Sequence, residues 1–346
     1  PPFVAPVPVR PVTIPPPPLP PESAAAPTST GLLSWSAGIG SRLGVRGEVL
    51  LLGGLLIVAL LAHGLNMFNF PASILKEDEG IYAEQAWAVL EEGQLAPYTY
   101  TYDHAPGGWV MVAAWYAISG GPTMFGGAIG SGRVLMLLLH LAMVPLLFHL
   151  ARKLGAGLVG AGLAAFLFSV SPLAVFYQRL LLLDTLMMFW VLLSLDLLLN
   201  GWGSLSRIAL SGVCFGLAVL SKETAVFLAP AVLLTAFLDR RRHQGRFAVF
   251  GWLVPMALVV SVYPLYALLK GELLPAADAS HVSLIGSLMW QASRSGGGPF
   301  NPNNEFWQLV RGEWLPRDPI LVLGGVVAIG VNLARGLGVW RPGLRH

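Results

Sequence analysis

Apolar runs recur along most of this chain, at roughly 49–68, 106–120, 134–150, 156–176, 185–199, 208–220, 224–238, 247–268 and 319–333. A crossing of a bilayer core takes about 20 mostly apolar residues, and the backbone inside lipid must satisfy its own hydrogen bonds, which a helix does. The expected class is therefore all-α and polytopic. Composition agrees, with 55% hydrophobic and 11% charged residues and a mean hydropathy of +0.67. A net charge of only +3, with basic residues in short clusters beside apolar runs, points to membrane topology and argues against nucleic acid. The one cysteine, Cys214, lies within an apolar run and excludes an intramolecular disulfide or a metal–thiolate site.

The first thirty residues are too rich in proline and too poor in large apolar side chains to pack. Residues 1–45 are expected to form a disordered cytoplasmic tail, and they do not read as a signal peptide. A first residue Pro1 and a final "RPGLRH" suggest a processed or cut chain, truncated at its C-terminus.

Orientation follows from charge. If 106–120 lies in the interface rather than crossing, Arg42/Arg46, Arg152/Lys153, Arg207, Arg240 to Arg246 and Arg335/Arg341/Arg345 all fall on the inner side. The positive-inside rule thus selects about eight transmembrane helices with both termini cytoplasmic. Glu77, Asp78 and Glu79, His104, Arg133, the 177–184 turn, Lys222–Glu223 and the long loop 269–318 then share the extracytoplasmic face. Ionisable groups at one membrane surface suit an enzyme acting on a lipid-borne substrate. A transporter for polyprenyl phosphate or lipid would place them nearer the midplane. A noncatalytic lipid-binding membrane subunit is a third reading.

The segments "DEGIYAEQAWAVLEEGQ" (78–94), "YDHAPGGW" (102–109), "GSGRVLMLL" (130–138), "RLLLLDTLMMFW" (179–190) and "GLAVLSKETAVFLAP" (216–230) stand in that order. Together they resemble the GT-C glycosyltransferases that use polyprenyl-phosphate sugars, above all protein O-mannosyltransferases and lipid A aminoarabinose transferases. The likeness covers about residues 45–270. It implies a GT-C-like transmembrane catalytic domain over 46–346, with a first loop at 69–132 and a long loop at 269–318. It also implies inverting transfer of a sugar from a polyprenyl-phosphate donor to a hydroxyl or amine of a protein, lipid or glycan acceptor, at the outer face of the cell membrane. Members usually carry further spans and often a soluble C-terminal domain. His-Ala-Pro at 104–106 stands where the family has Lys-Pro or His-Pro-Pro.

Sugar transfer needs a base for the acceptor's proton. Asp78 matches the acidic residue of the family's first loop, with Glu79 assisting, at the start of an interfacial helix expected over 80–92 with Ile81, Tyr82, Ala86, Val89 and Leu90 on its apolar side. A capping carboxylate would account for one of the acids by itself. Asp184 matches the second-loop acid, expected to orient the acceptor or a cation; its bland alternative is a helix cap. Negative charge grows on the donor phosphate as the sugar leaves, and His104, Arg133, Arg179 and Lys222 are the cations available to it. Each could instead snorkel toward headgroups. A divalent cation would find only scattered carboxylates and His104, and no metal site is assigned. His63, His140 and His149 read as interhelical packing residues, and Asp196 as a residue at the inner end of its span. The 269–318 loop, apolar then glycine-rich then aromatic, fits a lid over lipid or acceptor and equally a plain interfacial loop.

Overall fold

The computed structural model describes residues 32–72, 78–95, 102, 104–200, 204–238, 245–276, 281–293 and 301–336, and every regular element among them is helical. Residues 1–31 of the tail expected over 1–45, Glu77 and residues 239–244 of the basic cluster lie outside the described residues. Helix α1 (Leu32–Gly64) begins before the expected boundary at 45 and is broken at Gly44, whose φ of 54° leaves the helical region.

After α1 come α2 (Asp78–Glu92), α3 (Gly107–Ser119), α4 (Ala128–Lys153), α5 (Leu158–Val170), the short α6 (Pro172–Tyr177), α7 (Leu183–Asn200) and α8 (Leu205–Ser221). A 3-10 segment (Glu223–Leu228) leads into α9 (Ala229–Leu238), followed by α10 (Gly245–Val260), α11 (Val262–Leu269) and α12 (Leu284–Ser293). The C-terminal part holds α13 (Glu305–Leu309), a π-turn (Val310–Trp314), α14 (Leu315–Arg317) and α15 (Pro319–Gly336). Among the described residues, four helices are long and apolar enough to cross a bilayer: Gly44–Gly64, Ala128–Lys153, Phe247–Leu269 and Pro319–Gly336. Leu158–Val170, Leu205–Ser221 and Glu223–Thr235 are shorter apolar helices. The chain is an integral, multi-pass membrane protein. Helix α3, at 13 residues, is only about 20 Å long and by itself too short to span.

Small residues bring the helices together, as expected where lipid supplies no hydrophobic drive for association. A Cβ at Gly212 of α8 would stand 2.1 Å from the Trp252 carbonyl of α10, and one at Gly216 2.7 Å from Val259 Cβ. Between α7 and α8, the Ser194 hydroxyl donates to the Ser211 carbonyl (2.8 Å) and the Ser211 hydroxyl to the Ser194 carbonyl (2.7 Å). His63 of α1 donates from Nε2 to the Ser169 carbonyl of α5 (3.0 Å) and stacks on His140 of α4 at 3.5 Å. His140 in turn bonds Gln178. These histidines join helices.

Buried and half-buried ion pairs of α4, α7 and α8 separate to the two ends of this bundle. Along α4, Arg133 and Lys153 stand about 30 Å apart at the helical rise, and Asp184 and Asp196 lie toward opposite ends of α7. At one end Asp196 holds Lys153 (2.7 Å) and His149 (3.0 Å), while Arg152 faces Glu48 (3.5 Å). At the other end stand Glu79–Arg133, Asp184–Lys222 and Glu223–His104. The C-terminal segment is tied to that second end by Tyr177–Glu313 (2.8 Å) and Ser171–Asp318 (2.5 Å).

Candidate active site

Helix α2 opens with Asp78 and Glu79 in its first turn, where the helix dipole favours negative charge. Its buried face carries Glu79, Tyr82, Ala83 and Ala86, a 3-4 spacing that makes one stripe. The apolar side therefore differs from the expected one: Ile81 is exposed and Glu79 is wholly buried. A buried cation draws the face round. Arg133 donates from Nε to Glu79 Oε1 (2.9 Å) and from Nη2 to Glu79 Oε2 (2.7 Å), and spends its other donors on the carbonyls of Met67 (2.7 Å) and Pro71 (2.8 Å). Glu79 Oε1 also accepts the Leu181 amide (2.8 Å).

These contacts bear on two expectations. Glu79, expected to assist a base, is sealed from solvent and accepts three hydrogen bonds. Arg133, expected to bind the donor phosphate, is 1% exposed and has its guanidinium committed to Glu79 and two carbonyls. A bidentate pair buried this way braces α2 against α4 and the turn before α7. Asp78 stays exposed beside it in the chain, while an open cleft lined in part by Gly80, Glu84, Trp87 and Gly127 lies on the other side of α2.

Asp184, Lys222 and His104 meet where α3, α7 and α8 converge. Lys222, the extended residue that ends α8, reaches Asp184 Oδ2 at 2.6 Å, and the aspartate side chain is about half exposed. The turn 104–108 is pressed onto this junction by its two glycines. A Cβ at Gly107 would lie 2.7 Å from Leu220 Cβ, and one at Gly108 would lie 2.6 Å from Leu183 Cδ2 and 3.0 Å from the Ser221 carbonyl. Any side chain there would push the turn off the residues that precede Asp184 and Lys222. His104 Nδ1 meets Glu223 Oε1 at 2.9 Å, and Glu223 Oε2 accepts the Ala105 amide at 3.3 Å. Burial pushes the Glu223 carboxyl up, but the bonds from His104 and the backbone amides outweigh it and hold the group below its usual range. Tyr82 sets its ring edge-on to His104 at 6.1 Å. Since Tyr82 is one helical turn from Asp78, Asp78 belongs to the same neighbourhood.

Arg179 is held against the end of α1 and the segment that follows it. It is 8% exposed, donates to the carbonyls of Phe70 (3.2 Å) and Ala62, and lies 5.7 Å from the Phe70 ring. Its Nε has no hydrogen-bond partner among the described residues. Burial first, and then the charge of Arg133, hold its proton affinity below the usual arginine value. Among the described residues no three metal-ligating side chains converge.

Several residues escaped the sequence reading. Glu223 was grouped with Lys222 but given no role, although it holds His104. Tyr102 bonds Glu272, and the Tyr263 hydroxyl donates to the carbonyls of Tyr102 (3.2 Å) and His104 (3.1 Å). The nearest signal was the Lys-Glu pair directly after an apolar run.

The profile of the dolichyl-phosphate-mannose-protein mannosyltransferases matches residues 103–265. That stretch contains the 104–108 turn, Arg133, Arg179, Asp184, Lys222 and Glu223. Among solved structures, the chain is similar to the S. cerevisiae protein O-mannosyltransferase Pmt1–Pmt2 complex bound to the sugar donor, with a TM-score of 0.50 and 16% identity. The similarity covers 68% of this chain and 35% of that one, so the chain spans about a third of its length. No protein of curated function matches significantly. By fold and by the profile over its central part, this membrane protein has a GT-C-like architecture resembling the protein O-mannosyltransferases.

Proposed function

We propose that the protein is a glycosyltransferase that moves a sugar from a polyprenyl-phosphate donor to a hydroxyl or amine of an acceptor at the extracytoplasmic face. The observation that carries this reading is the junction of α3, α7 and α8. It brings Asp184–Lys222 and His104–Glu223 to one end of the bundle, beside Asp78 and opposite the Lys153–Asp196 end. With Arg152 and Lys153 inside, the site end faces outward, and about eight crossings put both termini in the cytoplasm. The four long apolar helices and the three shorter ones support several crossings, and the placement of Arg152 and Lys153 inside selects eight.

The reaction follows from the charges. The acceptor's oxygen or nitrogen attacks the anomeric carbon as its proton passes to the Asp78 carboxylate, and the carbon–oxygen bond to the phosphate breaks with inversion. The electron pair goes to the phosphate oxygen, which leaves as polyprenyl phosphate and needs no general acid. Lys222, His104 and Arg179 oppose the charge growing there in a partly dry site. Asp184 holds Lys222 in place and orients the acceptor. The buried Glu79–Arg133 pair fixes the helix from which Asp78 projects.

Mass spectrometry of glycoconjugates from cells with and without the gene tests the reading. The expected result is the loss of one sugar from a defined acceptor class, restored by the wild-type chain but not by Asp184→Asn. Unchanged glycoconjugates, together with ion-driven uptake of polyprenyl phosphate by the purified protein, would replace the enzyme with a transporter.

A further inference from the structure

The cleft between α2 and the start of α4 lies apart from the junction. Its volume is about 480 Å³, within the roughly 300–1,000 Å³ of small-molecule sites. The α2 wall is a single stripe, Gly80, Glu84 and Trp87, at spacings of four and three residues. That stripe is about 10 Å long at the helical rise. Trp87 is 42% exposed. Among the described residues neither its indole N–H nor the Glu84 carboxylate has a hydrogen bond or an ion pair, and the indole makes no ring contact. A tryptophan that only anchored α2 among headgroups would lie on an outward apolar surface, whereas this one lines a concavity beside a free carboxylate. The facing wall is backbone. Gly126 and Gly127 hold φ of 81° and 132°, a region that favours glycine, so no side chain narrows the cleft there. Helix α4 then starts from Gly127 without a side-chain cap, which leaves its first amides open as donors.

We propose that this cleft is a saccharide-binding subsite that takes a mono- or disaccharide unit of a glycan. A sugar ring has a flat C–H face, apolar enough to lie on an indole, and a rim of hydroxyls that both donate and accept. Stacked on Trp87, the ring gives hydroxyl protons to Glu84, since a carboxylate only accepts, and offers hydroxyl oxygens to the indole N–H and the α4 amides. An ammonium would meet Trp87 and Glu84 alone and leave the donors of the facing wall unanswered. A phosphate would be repelled by Glu84. The cleft is on the opposite side of α2 from Asp78, so the assignment is independent of the transfer chemistry and gives the same end of the bundle a place to hold a glycan.

The test is a ligand-observed NMR titration of the full chain in phosphatidylcholine nanodiscs with mannobiose, cellobiose and chitobiose, and with phosphoethanolamine and trilysine as competing probes. Wild type should bind at least one disaccharide saturably and the two charged probes more weakly. Trp87→Ala should lower that affinity at least about tenfold, and Glu84→Gln, which keeps one accepting oxygen, roughly three- to tenfold. Trp87→Phe keeps a ring face but no N–H and should fall between wild type and Trp87→Ala. Gly80→Leu separates occupancy from folding. A Cβ at Gly80 meets nothing within 4 Å and leucine is the better helix former, so the melting temperature should hold or rise while the side chain fills the cleft and disaccharide binding is lost. No saturable binding of any disaccharide by wild type, or binding that survives both Trp87→Ala and Gly80→Leu, overturns the inference. Tighter binding of phosphoethanolamine or trilysine than of every disaccharide, lost in Trp87→Ala, also overturns it and gives the cleft to a lipid headgroup or a basic peptide.

Discussion

Substitution of Glu79 separates a structural role from a chemical one. The side chain is fully buried and accepts two bonds from Arg133 and one from the Leu181 amide. Glu79→Ala would leave a guanidinium that is 1% exposed without its counter-charge, a loss of about 3–5 kcal/mol. Glu79→Gln is milder but not neutral. Its amide oxygen can keep one Arg133 bond or the Leu181 bond, while its NH2 group is set donor-to-donor against Arg133, for a loss of about 2–4 kcal/mol. Cys214 provides the assay, because it is the protein's one cysteine and is 3% exposed. Its reaction with a thiol-reactive dye during heating in detergent reports unfolding. The apparent Tm of Glu79→Gln should fall by at least about 4 °C. Glu79→Gln combined with Arg133→Gln should lose less than the sum of the two single changes, because no buried charge is then left alone. A Glu79→Gln protein with wild-type Tm and transfer activity down a hundredfold would refute the bracing argument and return Glu79 to the chemistry.

Asp78→Asn should leave folding and donor binding intact and lower turnover by roughly 10² to 10⁴, the range for a lost general base; wild-type transfer rates in membranes would exclude Asp78 as that base. Gly107→Ala puts a Cβ within 2.8 Å of the Leu220 carbonyl, so it should cost about 1–3 kcal/mol and reduce transfer, both read from the Cys214 melting assay and turnover. In a Cys214→Ala chain, a cysteine at the exposed Met124 should react with an impermeant thiol reagent from outside the cell and one at the exposed Leu154 should not; the reverse pattern would invert the proposed orientation. Glu223 and Glu272 are both held below their usual range despite burial, Glu223 by His104 and the backbone amides, Glu272 by Tyr102 and Lys270. Carboxyls of lowered folded-state pKa stabilise fully above the unfolded value and lose that contribution as pH falls through the folded one. Exchange protection of the Ala105 amide, corrected for the intrinsic rate at each pH, should therefore fall in acid, below the ordinary glutamate range, and protection that stays constant there would show that these carboxylates do not hold the turn.

The all-α membrane architecture was legible in the sequence because it follows from short-range requirements. A helix satisfies its own backbone bonds within four residues, and a bilayer demands apolar length, so 134–150 and 247–268 announce α4 and the α10–α11 rod without any knowledge of partners. Segregation of charge was equally local: Arg152–Lys153 and Lys222–Glu223 each flank an apolar run, and that placed them at helix ends. The motifs also identified Asp184, Lys222 and His104 as residues of one end. Sequence could not say which acid meets which base. Glu79 and Asp78 are neighbours of the same chemistry, yet one is buried on Arg133, 54 positions away, and the other is exposed. The difference is a rotation of α2 by one residue, about 100°, decided by where α4 presents its guanidinium. His104 and Glu223 are separated by 119 positions, and Tyr102 and Glu272 by 170. No periodicity spans such distances. What joins them is the packing of α3 onto the ends of α7 and α8, which Gly107 and Gly108 permit by having no side chain, so the pairing of charges is a property of helix contact and only the tertiary structure could decide it.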